Sequence, residues 1–118
     1  IWESAMTAGF RKIDNLCVFL DYNNLQIDGK VSEIKDITPI KDKWEAFRWH
    51  VLEINGHDLF EIEKAVQAFK AQQEKPTLII ANTVKGKGVS FMENNVDFHG
   101  KAPNPEETEI ALKELSNA

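Results

Sequence analysis

Short apolar runs alternate with longer segments of helical character along the chain, and this alternation is the feature that most constrains the fold. The segments of strand character are 16–21, 51–54 and 77–82, and the helical segments are 1–12, 38–49, 59–73 and 105–115. Helices inserted between strands are typical of a parallel sheet with right-handed crossovers. The sequence therefore predicts an α/β fold with three layers (α/β/α) and a mainly parallel sheet, built as one domain from residues 1–118.

Local signals at the helix starts refine this prediction. Thr38 and Pro39 form a typical start, with Thr38 as the N-cap and Pro39 in the first turn. Asp58 is predicted to cap the helix 59–73. In that helix, apolar residues recur at spacings of three to four and predict the side that faces the core: Leu59, Ile62, Val66 and Phe69.

Composition and charge exclude some classes of function. The residues are 42% hydrophobic and 28% charged, as in ordinary globular proteins, and a net charge of −5 argues against binding to nucleic acid. No apolar run is long enough to cross a membrane. The single cysteine, Cys17, lies in an apolar run, so we expect it to pack as a small hydrophobic residue, in keeping with a reducing, cytoplasmic setting. The chain opens at Ile1 inside a helical segment, which predicts an α/β domain that is incomplete at its N-terminus.

Polar side chains follow the apolar run 16–20 abruptly, where a strand would end. This stretch, 21–29, reads DYNNLQIDG. In open parallel sheets, ligands bind just beyond the carboxyl ends of strands, and the oxygens of Asp and Asn are ligands that Mg²⁺ prefers. Asp and Asn are equally common turn formers, and Asp28 with Gly29 is a frequent tight-turn pair. The pattern alone leaves both a metal site and an ordinary turn open.

A second polar stretch follows the predicted strand 77–82 and carries Lys85, Gly86, Lys87 and Gly88. Glycines and lysines in this order look like a phosphate-binding loop, but the spacing of that motif is absent. A solvated loop is the alternative.

Four stretches together carry a resemblance to a known family. They are 21–29, 43–47, 83–92 and 98–103, which read DYNNLQIDG, KWEAF, TVKGKGVSFM and FHGKAP. In this order they closely resemble the thiamine-diphosphate-binding domain of transketolases. The resemblance runs from Ile1 to about Leu115 and is to the later part of that domain, or of the N-terminal subunit of a split transketolase.

The resemblance implies a role for five residues. The side chain of Asn23, or that of Asn24 if the match is shifted by one place, and the backbone carbonyl of Leu25 would ligate Mg²⁺, or Ca²⁺ or Mn²⁺ in its place. Ile27 would pack against thiamine diphosphate, although a core position is the alternative. Lys85 would lie near the diphosphate. His99 would reach both the diphosphate and the substrate, and would be the catalytic residue of the set. The other half of the family's metal motif is expected upstream of residue 1.

A further implied site is Glu3, which follows Trp2 as a glutamate follows a tryptophan in the family. There it belongs to an acidic cluster at the subunit interface, so the resemblance implies a homo- or hetero-oligomer, such as a dimer. The alternative is an ordinary glutamate on the surface of a helix.

The implied function is part of a transketolase, a transferase that moves a two-carbon ketol unit between sugar phosphates, as in the pentose phosphate pathway. The implied partner is a pyrimidine-binding domain or subunit, and this chain by itself is expected to be inactive. Alternatives are dihydroxyacetone synthase or deoxyxylulose phosphate synthase, which use the same cofactor, and a non-catalytic α/β interaction subunit.

Overall fold

A computed structural model describes residues 1–116 of the chain. In chain order its elements are α1 (Trp2–Phe10), β1 (Cys17–Tyr22), β2 (Leu25–Gln26), β3 (Gly29–Lys30), α2 (Val31–Ile34), α3 (Ile40–Ala46), β4 (His50–Asn55), α4 (Leu59–Ala71), β5 (Thr77–Asn82), a 3-10 helix (Val96–His99) and α5 (Pro105–Ser116). They form two compact units. The first unit comprises residues 1–22 and 37–82, and the second comprises 23–36 and the chain from Thr83 onward. None of the described helices has the length and apolar character needed to cross a membrane.

The first unit is organised around a parallel sheet in the order β1-β5-β4. Strand β5 lies in the centre, and its register places Asn82 opposite both Tyr22 at the end of β1 and Asn55 at the end of β4. Leu78 and Ile79 of β5 are completely buried. Because successive side chains of a strand point to opposite faces, the two residues fix a core on each face of the sheet.

Helices cover both faces of this sheet. On one face, Ala5 of α1 and Trp44 of α3 join the buried cluster that contains Leu78. On the other face, Ala65 is the buried residue of α4 and borders the same groove as Leu52 of β4. The three-layer α/β/α prediction is therefore confirmed in the first unit.

A tryptophan cluster ties α1 to the start of β4. The indole nitrogen of Trp49 donates a buried hydrogen bond of 2.9 Å to the backbone oxygen of Ala5. The rings of Trp44 and Trp49 meet edge to face, with centroids 4.6 Å apart, and Trp2 contacts Trp44 at 5.8 Å. Such aromatic pairs contribute about 0.5–1.5 kcal/mol each beyond their buried area.

The second unit contains a β2–β3 hairpin, the short helix α2, the loop from Thr83, the 3-10 helix and α5. Helix α5 begins with a reciprocal cap. The side chain of Asn104 accepts from the backbone nitrogen of Glu107 (2.9 Å), and the Glu107 carboxylate accepts from the nitrogen of Asn104 (2.8 Å). Two orphan donors at the helix start are thereby satisfied.

Several predicted boundaries are confirmed. Strand β5 has the predicted bounds, and α5 starts at the predicted Pro105. The Asp58 carboxylate caps α4 as predicted, accepting from the backbone nitrogens of Phe60 (2.8 Å) and Glu61 (3.3 Å).

Other expectations are wrong. Pro39, not Thr38, occupies the N-cap position of α3, and no side chain caps that helix. The helix ends at Ala46, well before residue 49, because Arg48 adopts a left-handed backbone (φ 69°). Leu59 was predicted to face the core, but it lies in the first turn of α4 and is 81% exposed. The continuous apolar run 16–20 is also typical of a strand buried on both faces, but Phe19 is 49% exposed on β1, which among the described strands pairs only with β5.

We expect Gly9→Ala to destabilise the protein, because a Cβ at this position of α1 would collide with the backbone oxygen of Phe47. Overpacking of this kind costs about 1–3 kcal/mol. The free energy of unfolding from urea titration measures the loss. Ser4→Ala, at an exposed position of the same helix, is the matched control. A Gly9→Ala protein as stable as the control would contradict the close approach of α1 to Phe47.

Candidate functional site

The second unit contains a cavity of about 250 Å³. Its walls come from the hairpin, the loop after β5 and the 3-10 helix: Asn23, Leu25, Gln26, Ile27, Lys85, Val96 and His99. The structure thus brings together all five residues that were predicted to hold a cofactor or metal.

Local hydrogen bonds fix the hairpin side of the cavity. The side-chain oxygen of Asn23 accepts from the backbone nitrogen of Leu25 (3.0 Å), which turns the chain into β2. Asn24 adopts a left-handed backbone (φ 60°), which asparagine tolerates better than most residues. The Asn24 carbonyl accepts from the nitrogen of Val31 (2.8 Å) and closes the hairpin. Ile27 lies at the tip and is 69% exposed, so it is available to a ligand rather than committed to the core.

Lys85 is held by its neighbours in the loop. Its backbone oxygen accepts from the nitrogen of Asn94 (3.0 Å). Its side-chain ammonium is partly buried and donates a long hydrogen bond of 3.4 Å to the backbone oxygen of Phe98. The ammonium is therefore anchored beside the residue that precedes His99.

The loop after Lys85 folds back on itself at two glycines. Gly86 has a left-handed backbone (φ 72°), and a Cβ there would lie 2.5 Å from the backbone oxygen of Met92. The Glu93 carboxylate accepts from the backbone nitrogen of Gly88 (3.0 Å) and pairs with the Lys87 ammonium (3.4 Å). The sequence left a solvated loop as one alternative here, and the structure shows a compact turn.

Helix α5 secures the same loop. Ser90 donates to the Glu114 carboxylate through its hydroxyl (2.6 Å) and through its backbone nitrogen (2.7 Å). These two hydrogen bonds hold the pKa of Glu114 below its ordinary value, the side-chain bond contributing most. The link is therefore present above the ordinary pKa of a glutamate and is lost as the pH falls through the lowered one.

His99 ends the 3-10 helix and its side chain is exposed at the cavity. Asn95 caps this helix by accepting from the backbone nitrogen of Asp97 (3.0 Å). The ring of Phe98 contacts that of Phe91, with centroids 5.5 Å apart, and the Lys101 ammonium lies 5.1 Å from the Phe98 ring centroid. Packing of its neighbour thus fixes the backbone that carries His99.

The chemistry of the cavity suits an anion. Its lining residues include the Lys85 ammonium and the His99 imidazole, and none of the seven is a carboxylate. The volume lies below the roughly 300–1,000 Å³ typical of pockets that enclose a whole ligand of drug size. The cavity therefore fits one end of a cofactor such as thiamine diphosphate rather than all of it.

Asn23 also suits a hard cation. An amide oxygen has two lone pairs, and the bond from Leu25 uses one of them. Within residues 1–116, no group of three His, Cys, Asp or Glu side chains is placed to hold a metal ion. A divalent cation at Asn23 would therefore need oxygen ligands from elsewhere, including those of a bound diphosphate.

Other candidate residues lie outside this cavity. Glu3 belongs to α1 in the first unit, and its side chain is 89% exposed. His57 lies in the turn before α4, where its backbone nitrogen donates to the Asn55 side chain (3.0 Å). His50 begins β4, and its Nδ1 lies 3.5 Å from the Thr77 hydroxyl. Burial raises the pKa of the Cys17 thiol, as expected for a packed cysteine.

Sequence reasoning assigned no role to Gln26 or Val96, both of which line the cavity. Gln26 lies between Leu25 and Ile27 in the stretch 21–29, and this position was the only indication in the sequence of a role in the site. Val96 gave no signal, because one valine in a loop indicates nothing by itself.

Comparison with known proteins identifies the family. Residues 1–116 match the family described as "Transketolase, thiamine diphosphate binding domain". The chain is 48% identical over 115 residues to the 6-deoxy-6-sulfo-D-fructose transketolase subunit SqwG of a Clostridium species, covering 98% of this chain and 42% of that protein. It is 40% identical over 116 residues to an apulose-4-phosphate transketolase subunit of Phocaeicola vulgatus, covering 98% of this chain and 41% of that protein.

A solved structure gives the same answer. The chain superposes on transketolase from Campylobacter jejuni with a TM-score of 0.91 and 36% identity, covering 98% of this chain and 18% of that one. The α/β fold is therefore that of a thiamine-diphosphate-binding domain, and the chain belongs to the transketolase family. It spans about two fifths of the length of the two subunits to which it is similar.

Proposed function

We propose that residues 1–118 are the later part of one thiamine-diphosphate-binding domain in a transketolase. The complete enzyme would move a two-carbon ketol unit from a ketose phosphate to an aldose phosphate. The observation that carries the proposal is the meeting of Asn23, Lys85 and His99 at one cavity in a chain of this family. When bound, thiamine diphosphate supplies a carbon nucleophile that accepts and stores the ketol unit.

Different residues of the cavity are proposed to bind different parts of the cofactor. Lys85 offers a positive charge and hydrogen-bond donors to the diphosphate. Asn23, through its side chain, and Leu25, through its backbone oxygen, would hold Mg²⁺, which would neutralise charge on the diphosphate. Ile27 offers an exposed apolar surface at the hairpin tip for a cofactor ring.

His99 is the proposed catalytic residue. Its imidazole is exposed at the cavity while its backbone is fixed by the 3-10 helix. An imidazole has two ring nitrogens that donate or accept, so it can donate to a phosphate oxygen and can hold or release a proton as a sugar hydroxyl ionises.

The remainder of the site is proposed to come from a partner. Similar proteins are named as transketolase subunits, and the cavity is too small to enclose the whole cofactor. We assign the other side to a pyrimidine-binding domain or subunit, with the exposed Glu3 of α1 at the interface of a homo- or hetero-oligomer. The similar proteins are named for 6-deoxy-6-sulfo-D-fructose and apulose-4-phosphate, so the proposed substrates are phosphorylated sugars or their sulfonated analogues.

The proposal is tested with the complete enzyme, assembled from the full-length protein and its partner. We expect binding of thiamine diphosphate that depends on Mg²⁺ and transfer of a ketol unit to an aldose phosphate acceptor. The isolated 118-residue chain is the control, and we expect no turnover from it because the pyrimidine-binding side is missing. If the assembled enzyme binds no thiamine diphosphate, the better interpretation is a non-catalytic interaction subunit.

We expect Asn23→Ala in the complete enzyme to weaken thiamine diphosphate binding about tenfold or more in the presence of Mg²⁺, since a cation ligand is lost. Isothermal titration with and without Mg²⁺ measures the effect. Asn24→Gly is the matched control, because glycine accepts the left-handed backbone of that exposed neighbour. Equal affinities for the two variants would show that Asn23 holds no metal.

We expect His99→Ala to lower kcat by about 10²–10⁴-fold, the range of general acid–base catalysis, and to lower cofactor affinity less. Steady-state kinetics at saturating cofactor and a titration of thiamine diphosphate separate the two effects. His99→Gln is the companion variant. It keeps a hydrogen-bond donor but carries no titratable proton, so it should restore affinity without restoring kcat. Recovery of kcat in His99→Gln would assign His99 to binding alone.

A further inference from the structure

One buried donor at the cavity lacks a hydrogen-bond partner. The side-chain nitrogen of Gln26 is shielded from water, and no atom of residues 1–116 accepts its hydrogens. Such a group is costly in a folded protein, and an unpaired buried donor requires an explanation. Gln26 lines the cavity, so rotation of its amide toward a ligand bound there would supply the missing acceptor.

The backbone of Gln26 has little freedom to move the side chain toward an acceptor. Gln26 pairs with Gly29 across the two-residue turn of the hairpin, and the bonds made by Asn23 and Asn24 fix the strand on its other side. The last torsion of a glutamine side chain is broad, however, and rotation about it moves the amide nitrogen without moving the strand. The hairpin backbone therefore fixes the position of Gln26, while rotation about the last side-chain torsion sets the direction of the N–H donors.

The surroundings define what Gln26 would bind. Lys85 and His99 border the same cavity and supply a positive charge and further donors, while the lining contains no carboxylate that would pair with the amide. A group that accepts hydrogen bonds from all three must carry several acceptor oxygens and negative charge. Phosphate groups have these properties, and hydrogen bonds to charged groups are the stronger class.

We propose that Gln26 is a further binding residue, whose side-chain amide donates a hydrogen bond to an oxygen of the cofactor's diphosphate. This inference rests on the proposed function, because it takes the diphosphate to be the anion at this cavity. The donor is unpaired before binding and paired afterwards. Gln26 would therefore contribute to ligand affinity and nothing to the stability of the unliganded protein.

The test compares Gln26→Met with Gln67→Met in the complete enzyme. Methionine has nearly the shape of glutamine but no donor, and Gln67 lies exposed on α4 in the first unit. We expect Gln26→Met to weaken binding of thiamine diphosphate with Mg²⁺ about tenfold or more by isothermal titration, the range of a hydrogen bond to a charged group. Inorganic pyrophosphate should lose affinity in parallel. Gln67→Met should bind both probes as the wild type does.

Thermal unfolding without ligand supplies a second readout. The melting temperature of Gln26→Met should equal or exceed that of the wild type, because methionine removes an unpaired donor. A fall of several degrees would overturn the inference, since the amide would then have a partner within the protein. Gln26→Glu provides a second variant, and its added negative charge should weaken both probes more than Gln26→Met does.

The failures are distinguishable. Wild-type affinity for both probes in Gln26→Met would overturn the role of Gln26 while the proposed function stands. A loss for thiamine diphosphate but not for pyrophosphate would overturn the assignment to the diphosphate. A wild-type enzyme that binds neither probe would refute the proposed function itself.

Discussion

The parallel pairing of β1 with β5 is the constraint on which the rest of the structure depends. Its register sets Tyr22 opposite Asn82, so both strands end at the same level of the sheet. The chain enters the second unit immediately after each of these residues. Two segments far apart in sequence therefore begin from neighbouring strand ends. Burial of β5 on both faces makes a slip in register costly, because it would exchange Leu78 and Ile79 between the two cores.

The second unit achieves its geometry by a different means. It has few buried apolar residues, of which Val89 and Ala111 are the most buried. Its shape depends instead on short-range hydrogen bonds made by asparagine and glutamate, such as those of Asn23 and Glu93. Bonds of this kind span two to five residues, so they fix the local path of the chain at little cost in chain entropy. This low cost in chain entropy suits a site that is built from loops.

The sequence predicted the alternation of helices and strands well, since periodicity and apolar runs encode it directly. It did not predict the β2–β3 hairpin within 24–37, because two-residue strands are too short to show a period. It also missed the early end of α3, which depends on the backbone of Arg48. Asn23, Lys85 and His99 were predicted as site residues through resemblance to a family, and the structure brings them to one cavity. The unpaired nitrogen of Gln26 was beyond reach, because burial and the absence of a partner are properties of the fold.

The link between Ser90 and Glu114 has a consequence for how this domain can change in evolution. Gly88 of the same loop also approaches α5 closely, since a Cβ there would lie 3.1 Å from the Leu115 side chain. A residue other than glycine at position 88 is strained by the left-handed backbone there (φ 93°), and loss of the acceptor at 114 leaves the Ser90 donors without their partner. We therefore expect glycine to be retained at position 88 and positions 90 and 114 to covary. Helix α5 lies far from Lys85 in sequence, but substitutions in α5 are constrained by its contacts with the loop that carries Lys85.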